Sequence, residues 1–312
     1  MSRRPLTLVL AGVTFVLGLP TLVRLVGDHG RPLLVVTDVT VPLLVVPLGV
    51  LLVMQLVLRR RAIAAATAAL LLLDALWLVP LYVADAVQVG APLTVLTANL
   101  RFGEADPDAL VRLVRTHQVD VLATQELTPE AVARLHAAGL DAALPYSDLR
   151  PFRDADGCGL WSRYPIDVLT DFTLRFQSPG AVIQLPTRPV VVRVVHPFPP
   201  FPFGDGSTYR KDNAALRAQV RRLDPTTPTV VAGDLNASAD NSELRALLGG
   251  RFRDASEQAG SGLQLTWSPK GWPALLQLDH VLVDAHIEVR STQVLDLPGS
   301  DHRALLARLD VG

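Results

Sequence analysis

The chain has one cysteine, Cys158, in 312 residues. That excludes an intrachain disulfide and a Cys-based zinc site, while leaving the compartment open. Charged residues are only 19% and the net charge is −1, which argues against a protein that grips nucleic acid with a broad basic surface. Three chemical signatures are also missing. There is no Gly-x-Ser-x-Gly nucleophile turn, no phosphate-cradling Gly loop with Lys, and no His-Glu-x-x-His helix.

What is present is unevenly distributed. The mean hydropathy of +0.32 is high, and its source is local. Residues 1–90 hold seven Lys/Arg and four Asp/Glu, net +3, whereas residues 91–312 are net −4. The chain therefore divides into a three-span transmembrane anchor, 1–90, and a domain, 91–312, long enough for its own α/β core. The expected spans are Pro5–Val26, Leu33–Leu58 and Ala62–Val87, each near the ~20 apolar residues a bilayer requires. Met-Ser-Arg-Arg resembles the start of a signal peptide, but no small-residue cleavage pattern follows and two more spans do.

Arg3–Arg4 and Arg59–Arg61 belong on the cytoplasmic side, so an odd number of spans puts the domain outside. Arg31 and His29 give the first loop weaker positive charge. The expectation is a multi-pass protein of the cell membrane, extracytoplasmic domain held near the bilayer by a short Gln-Val-Gly-Ala-Pro tether, with no protein partner evident. Asp74, deep in span three, is a functional candidate by its depth alone; the alternative is an acid paired between helices.

Residues 91–312 alternate apolar β-rich runs with helices. Strands are expected at Thr94–Leu100, Val119–Thr124, Gly157–Ser162, Pro189–Val195, Thr229–Ala232, Gln277–Val283, Ile287–Val294 and Ala304–Leu309. Helices follow Asp106-Pro107, where an N-cap precedes an N1 proline, and fill Pro129–Ala138 and Asn213–Leu223. The pattern is α/β, with helices covering sheets.

Six polar clusters sit in or just past the strands: Asn99, Glu126, His196, Asp234/Asn236, Asp279 and Asp301/His302. A buried strand holds the residue at its end rigidly. Carboxylates and amides without thiolates suit a hard cation such as Mg²⁺ or Mn²⁺. Two histidines suit acid/base work. Together they form the inventory of a phosphoester hydrolase.

These pieces, in this order, resemble the endonuclease/exonuclease/phosphatase superfamily over roughly 93–310. The resemblance rests on Thr97-Ala-Asn-Leu100, Gln125-Glu126, Gly159-Leu-Trp-Ser-Arg-Tyr-Pro-Ile166, Val195-His196, Gly233-Asp-Leu-Asn236, Leu278-Asp-His-Val-Leu282 and Ser300-Asp-His302. It implies a four-layer α/β sandwich of two mixed sheets flanked by helices. It also implies roles. Glu126 would be the principal metal ligand, with Asn99 beside it and Asp301 a metal-side carboxylate. Asp234 would orient or deprotonate the attacking water, and Asn236 would hydrogen-bond the phosphoryl group. Asp279 would hold the ring of His302, a phosphate-contacting acid/base. His196 would be a general acid or phosphate donor.

Other residues have plainer expectations. His280, on the opposite strand face from Asp279, reads as structural; Arg163-Tyr164 reads as packing that braces the site; Thr266-Trp267 reads as core, the alternative being a platform that stacks substrate; Cys158 reads as a small buried apolar residue. Phe198, Phe201 and Phe203 stand in a proline-stiffened loop after His196 and either gate the cleft or touch lipid, the alternative being that they fold back onto the core. Two functions remain: a membrane-anchored metal-dependent hydrolase of a nucleic acid, phospholipid or small phosphoester, and a non-catalytic receptor or scaffold that retains the fold. The −4 charge tilts the first away from long duplex DNA.

Overall fold

The computed structural model describes residues 3–27, 41–86, 89–200, 206–269 and 271–312. The start of the expected second span (33–40), with Asp38, and His29, Arg31, Val87, Gln88, Phe201 and Phe203 lie outside the described residues.

Three apolar helices come first: α1 (Arg3–Val26), α2 (Val41–Val57) and α3 (Arg61–Leu78). Two of these helical stretches, Arg4–Val26 and Arg61–Tyr82, are long and apolar enough to cross a membrane; Pro42–Val57 is shorter. Of the three expected spans, two are matched among the described residues by helices long enough to cross a membrane, and the helix in place of the second is short. Span three was also drawn too long. Pro80 has no N–H to continue an α-helix, so α3 passes into a 3₁₀ turn, Val79–Tyr82, and helical structure stops there. Between the helices runs a ladder of buried polar contacts. Gln55 donates to Thr14 (2.9 Å) and accepts from Thr67 (2.9 Å). Thr21 donates to Asp74 (3.0 Å), which is fully buried. Asp74 is therefore an acid paired between helices. The outer faces remain apolar and exposed, with Val46 at 72% and Val16 at 65%.

The remaining chain forms two six-stranded sheets. The first contains β1 (Ala91–Asn99), β2 (Val121–Gln125), β3 (Tyr146–Arg150), β4 (Cys158–Ser162), β11 (Ile287–Leu295) and β12 (Ala304–Val311), in the order β11-β12-β1-β2-β4-β3. The second contains β5 (Ile166–Val168), β6 (Gly180–Gln184), β7 (Pro189–Val195), β8 (Thr229–Asp234), β9 (Phe252–Asp254) and β10 (Asp279–Asp284), in the order β5-β6-β7-β8-β10-β9. Each sheet is mixed, with one parallel pair near its middle: β1/β2 and β7/β8.

Helices α4 (Pro107–Thr116) and α5 (Pro129–Ala137) cover the first sheet; α6 (Ser207–Val220) and α7 (Ser242–Leu248) cover the second; α8 (Ala255–Gln258) packs at its edge. The expected N-cap of α4 is in place: Asp106 accepts from the N–H groups of Asp108 and Ala109. Thr128 caps α5 in the same way. Both sheets are buried on two faces. Val95, Val121, Val192, Val194, Val230, Ala232, Val281 and Ala307 fill the space between them. Leu96, Leu122 and Leu306 face α4 and α5, and Val231 and Leu282 face the helices of the second sheet.

Strands β3, β5, β6 and β9 were not expected from sequence. They are three to five residues long, and their exposed or charged positions (Tyr146, Asp167, Val168, Arg253) blur the apolar pattern. Cys158 is buried, and burial pushes its thiol well above the ordinary range. Arg163 does not brace the strand-end cluster. It donates to Asp120 (2.9 Å) and to the Val119 carbonyl (2.8 Å). Antiparallel pairing of Ser162 with Val121 carries it to the beginning of β2, whereas Glu126 follows the end.

Candidate active site

Alternation along the strands builds the site. Asn99 continues the inward face of Leu93, Val95 and Thr97; His196 continues that of Val192 and Val194; Asp234 continues that of Val230 and Ala232; Asp279 begins the face that carries Val281 and Val283. A side-chain period of two therefore aims all four into the space between the sheets. Parallel neighbours end on the same side, so β1 and β2, like β7 and β8, deliver their last residues together: Asn99 beside Gln125, Val195 beside Gly233. Polar groups thus close one end of an otherwise apolar sandwich. Gly233 permits this closeness, because a Cβ there would stand 1.9 Å from the Val195 carbonyl oxygen.

At the centre is Asp234. Its Oδ2 accepts from Asn99 Nδ2 (3.0 Å) and lies 3.6 Å from Nε2 of both His196 and His302. Its Oδ1 accepts from the Asn236 backbone N–H (2.8 Å). Asn99 Nδ2 also donates to Glu126 Oε1 (3.1 Å), and the Phe102 N–H donates to Glu126 Oε2 (2.8 Å). His302 Nδ1 is 2.8 Å from Asp279 Oδ2. One ligand atom from each of Asp234, Asp279 and His302 falls within 4.8 Å of the others. Asp301 sits nearer the rim, 31% exposed, with Arg101 Nε at 4.0 Å. Glu126 (φ +55°) and Asn236 (φ +50°) both hold left-handed backbones, a strain of order 1 kcal/mol that concentrates at functional sites.

Electrostatics follows from this crowding. Burial alone would lower the basicity of His302, but the carboxylates of Asp279 and Asp234 outweigh it and push the imidazole up to about 10. His196 is buried against the Phe176 ring (4.9 Å between centroids), and its Nδ1 has no hydrogen-bond partner among the described residues. Phe198 folds back onto Phe176 (5.5 Å), and its N–H donates to Asp212 (3.0 Å). Asn236 gives one amide hydrogen to the Pro197 carbonyl (3.0 Å), which ties the Asp234 loop to the His196 loop.

All eight sequence-derived candidates lie at this end of the sandwich, and neighbours with plainer expectations join them. Trp267 is not a core residue. It is bridged to His302, and its indole N–H donates to Asp301 (3.4 Å). Thr266 Oγ1 accepts from the N–H groups of Leu278 and Asp279 (3.1 Å each), fixing the start of β10. Ser300 Oγ donates to the Asn99 carbonyl (2.8 Å) and accepts from the His302 N–H (3.0 Å). Asp212 is buried near His196, where burial raises its carboxyl. Of these, only Ser300 stood inside a sequence motif; the others approach through folding. His280 is 1% exposed on the opposite face of β10, between Asp254 Oδ2 (2.5 Å) and the Ala237 carbonyl (2.8 Å).

The donor set fits a hard divalent cation. Carboxylate oxygens of Asp234 and Asp279 lie within 4.8 Å of each other and of His302 with no thiolate among them, Glu126 Oε1 and Asp234 Oδ2 share the Asn99 amide, and Asp279 Oδ1 is buried without a hydrogen-bond partner among the described residues.

Comparison with known proteins agrees with this fold. Solved structures share the fold. A crystal structure of an endonuclease/exonuclease/phosphatase from Beutenbergia cavernae is 18% identical, covers 71% of this chain and 72% of that one, and has a TM-score of 0.58. D. rerio TDP2 complexed with a single strand DNA product is 15% identical, covers 70% and 99%, and also scores 0.58. An endonuclease/exonuclease/phosphatase from Bacteroides vulgatus is 16% identical, covers 71% and 100%, and scores 0.56. At such identities the likeness is one of fold. No curated protein matches the chain. Residues 96–302, more than half of the chain, match the Endonuclease/Exonuclease/phosphatase family, and the chain belongs to that family.

Proposed function

We propose that the protein is a membrane-anchored, divalent-metal-dependent phosphoester hydrolase whose active site faces the extracytoplasmic side. The observation that carries the chemistry is the position of Asp234 Oδ2, reached by Asn99 from one sheet and flanked by two imidazoles at 3.6 Å. An oxygen acceptor beside two proton carriers is what in-line attack on phosphorus requires.

Glu126, Asn99 and Asp301 would hold Mg²⁺ or Mn²⁺, which supplies Lewis-acid polarisation of a phosphoryl oxygen. Asp234 orients a water and accepts its proton. His302, kept protonated by Asp279 and Asp234, donates to a non-bridging phosphoryl oxygen as charge builds on it. Asn236 offers its second amide hydrogen to the same group. His196, whose Nε2 is also 3.6 Å from Asp234 Oδ2, protonates the leaving oxygen.

The placement at the membrane has its own support. Arg24 of α1, Pro42 and Leu43 of α2 and Trp77 and Leu78 of α3 line one cavity together with residues of the domain. The domain therefore sits at one end of the helices. Arg59, Arg60 and Arg61 join α2 to α3 at the other. If the arginine end is cytoplasmic, the domain is outside.

D. rerio TDP2 was captured with a single strand DNA product, so a phosphodiester is a suitable probe. The full chain in detergent micelles should hydrolyse bis-p-nitrophenyl phosphate with Mg²⁺ or Mn²⁺, and Glu126→Ala should abolish turnover. A well-folded wild-type chain that neither binds Mn²⁺ nor turns over would point to a scaffold.

A further inference from the structure

We infer that Arg24, in the first apolar helix, is a positioning residue for the active-site loop Leu235–Asn241, so that the helical bundle forms part of the catalytic apparatus rather than only a tether. The two groups are 216 positions apart in sequence, yet Arg24 Nη1 donates to Asp240 Oδ1. The contact is largely buried, with the Arg24 side chain 14% exposed and that of Asp240 6%. Arg24 is itself held in place. Its guanidinium stacks over Trp77 of α3 at 4.1 Å, and its carbonyl accepts from Arg245 Nη2 (3.5 Å). Arg245 Nη1 also donates to the Asp240 carbonyl. Bundle, loop and α7 therefore meet at one residue, Asp240.

Asp240 lies four residues past Asn236, and the segment between them has little slack. The Asn241 N–H donates to the Ser238 carbonyl (2.9 Å), closing a turn. The Ala237 carbonyl lies 2.8 Å from His280 Nε2, and the Leu235 N–H donates to the Leu278 carbonyl (2.9 Å). The front of the loop carries the Asp234–Asn236 contact and the Asn236–Pro197 bond. A carboxylate this deep requires a partner. Without the Arg24 charge, the Asp240 carboxylate loses its contact to the bundle and shifts, and the Ser238–Asn241 turn moves with it, loosening Asn236 and the rotamer of Asp234. The effect falls on the chemical step more than on substrate capture.

The test uses the full chain in lipid nanodiscs, comparing wild type, Arg24→Gln, Arg24→Lys, Asp240→Asn and the Arg24→Gln/Asp240→Asn double variant. Its kinetic readout, with bis-p-nitrophenyl phosphate and Mn²⁺, rests on the hydrolase reading above; its second readout, hydrogen exchange of the amides of 235–241, does not. Arg24→Gln is expected to lower kcat by about 10-fold with KM within about 2-fold, and to speed exchange in that loop. Arg24→Lys should restore most of both. In the Asp240→Asn background, the further Arg24→Gln change should cost under about 2-fold, because the charge it serves is gone. Wild-type kcat and exchange in Arg24→Gln would overturn the inference, as would an equal loss in both backgrounds. A wild-type chain without turnover would remove the hydrolase reading alone, leaving exchange to decide the brace.

Discussion

Asp234 and Asp279 are antiparallel partners across β8 and β10, so two buried carboxylates face one another and both reach the His302 imidazole, at 3.6 and 2.8 Å. Two negative charges in one buried space repel unless cations share it. The protonated histidine is one such cation.

Asp279→Asn should lower kcat by about 100-fold or more, while KM changes little. The amide keeps the shape but loses the charge that orients and protonates His302. Steady-state kinetics on a phosphodiester checks this, and a variant retaining full kcat would remove His302 as a charged participant.

Glu126→Gln should weaken Mn²⁺ binding by about 10-fold or more, measured by calorimetry on the full chain. Asn99→Ala should weaken it as well, since Asn99 Nδ2 bridges Glu126 and Asp234 at 3.1 and 3.0 Å and such supporting partners typically contribute about 10-fold or more. Chelation by EDTA should stop turnover reversibly.

His280 makes stability depend on pH. Burial alone would lower its basicity, but the Asp254 carboxylate, the Ala237 carbonyl and the Asp279 charge outweigh it, and the folded value is raised above 6.5. A raised folded value stabilises fully below the unfolded one, ~6.5, and the contribution is lost as pH rises through the folded value. Thermal unfolding should therefore show a midpoint that falls from pH 6 toward alkaline pH. In His280→Gln that slope should shrink; an unchanged slope would assign it elsewhere.

Gln55→Leu should destabilise the helical bundle by roughly 0.6–2 kcal/mol, the range for hydrogen bonds between helices in a membrane. It removes the Gln55 contacts to Thr14 and Thr67 and leaves the direct Thr14–Thr67 contact (3.3 Å) in place. Unfolding of the full chain in mixed micelles reads this directly, with catalysis on a soluble ester as the internal control.

Local chemistry made much of the protein legible. Apolar runs of five to nine residues announced β1, β2, β4, β7, β8, β10, β11 and β12, and Asp106-Pro107 announced α4. Polar residues at the ends of those runs marked the candidate site, because an amide, acid or imidazole after a doubly buried strand has few other reasons to be there. The other strands were illegible because exposed or polar positions such as Tyr146, Asp167, Gln184 and Arg253 interrupt their short apolar runs. The Trp267–Asp301, Thr266–Asp279 and Arg24–Asp240 contacts were illegible for another reason: they join segments by packing, and no local pattern in either segment refers to the other.

Residue order by itself thus determined which strands are buried on both faces, where the chain changes from lipid-compatible to water-compatible composition, and which side chains stand at strand ends. Only the tertiary structure decided which of those ends meet. The pairing order of two sheets, and the alternation that turns Asn99, His196, Asp234 and Asp279 inward together, set distances between residues far apart in the chain. Such distances follow from how whole sheets stack and where the helices come to rest against them, and no single stretch of sequence encodes that.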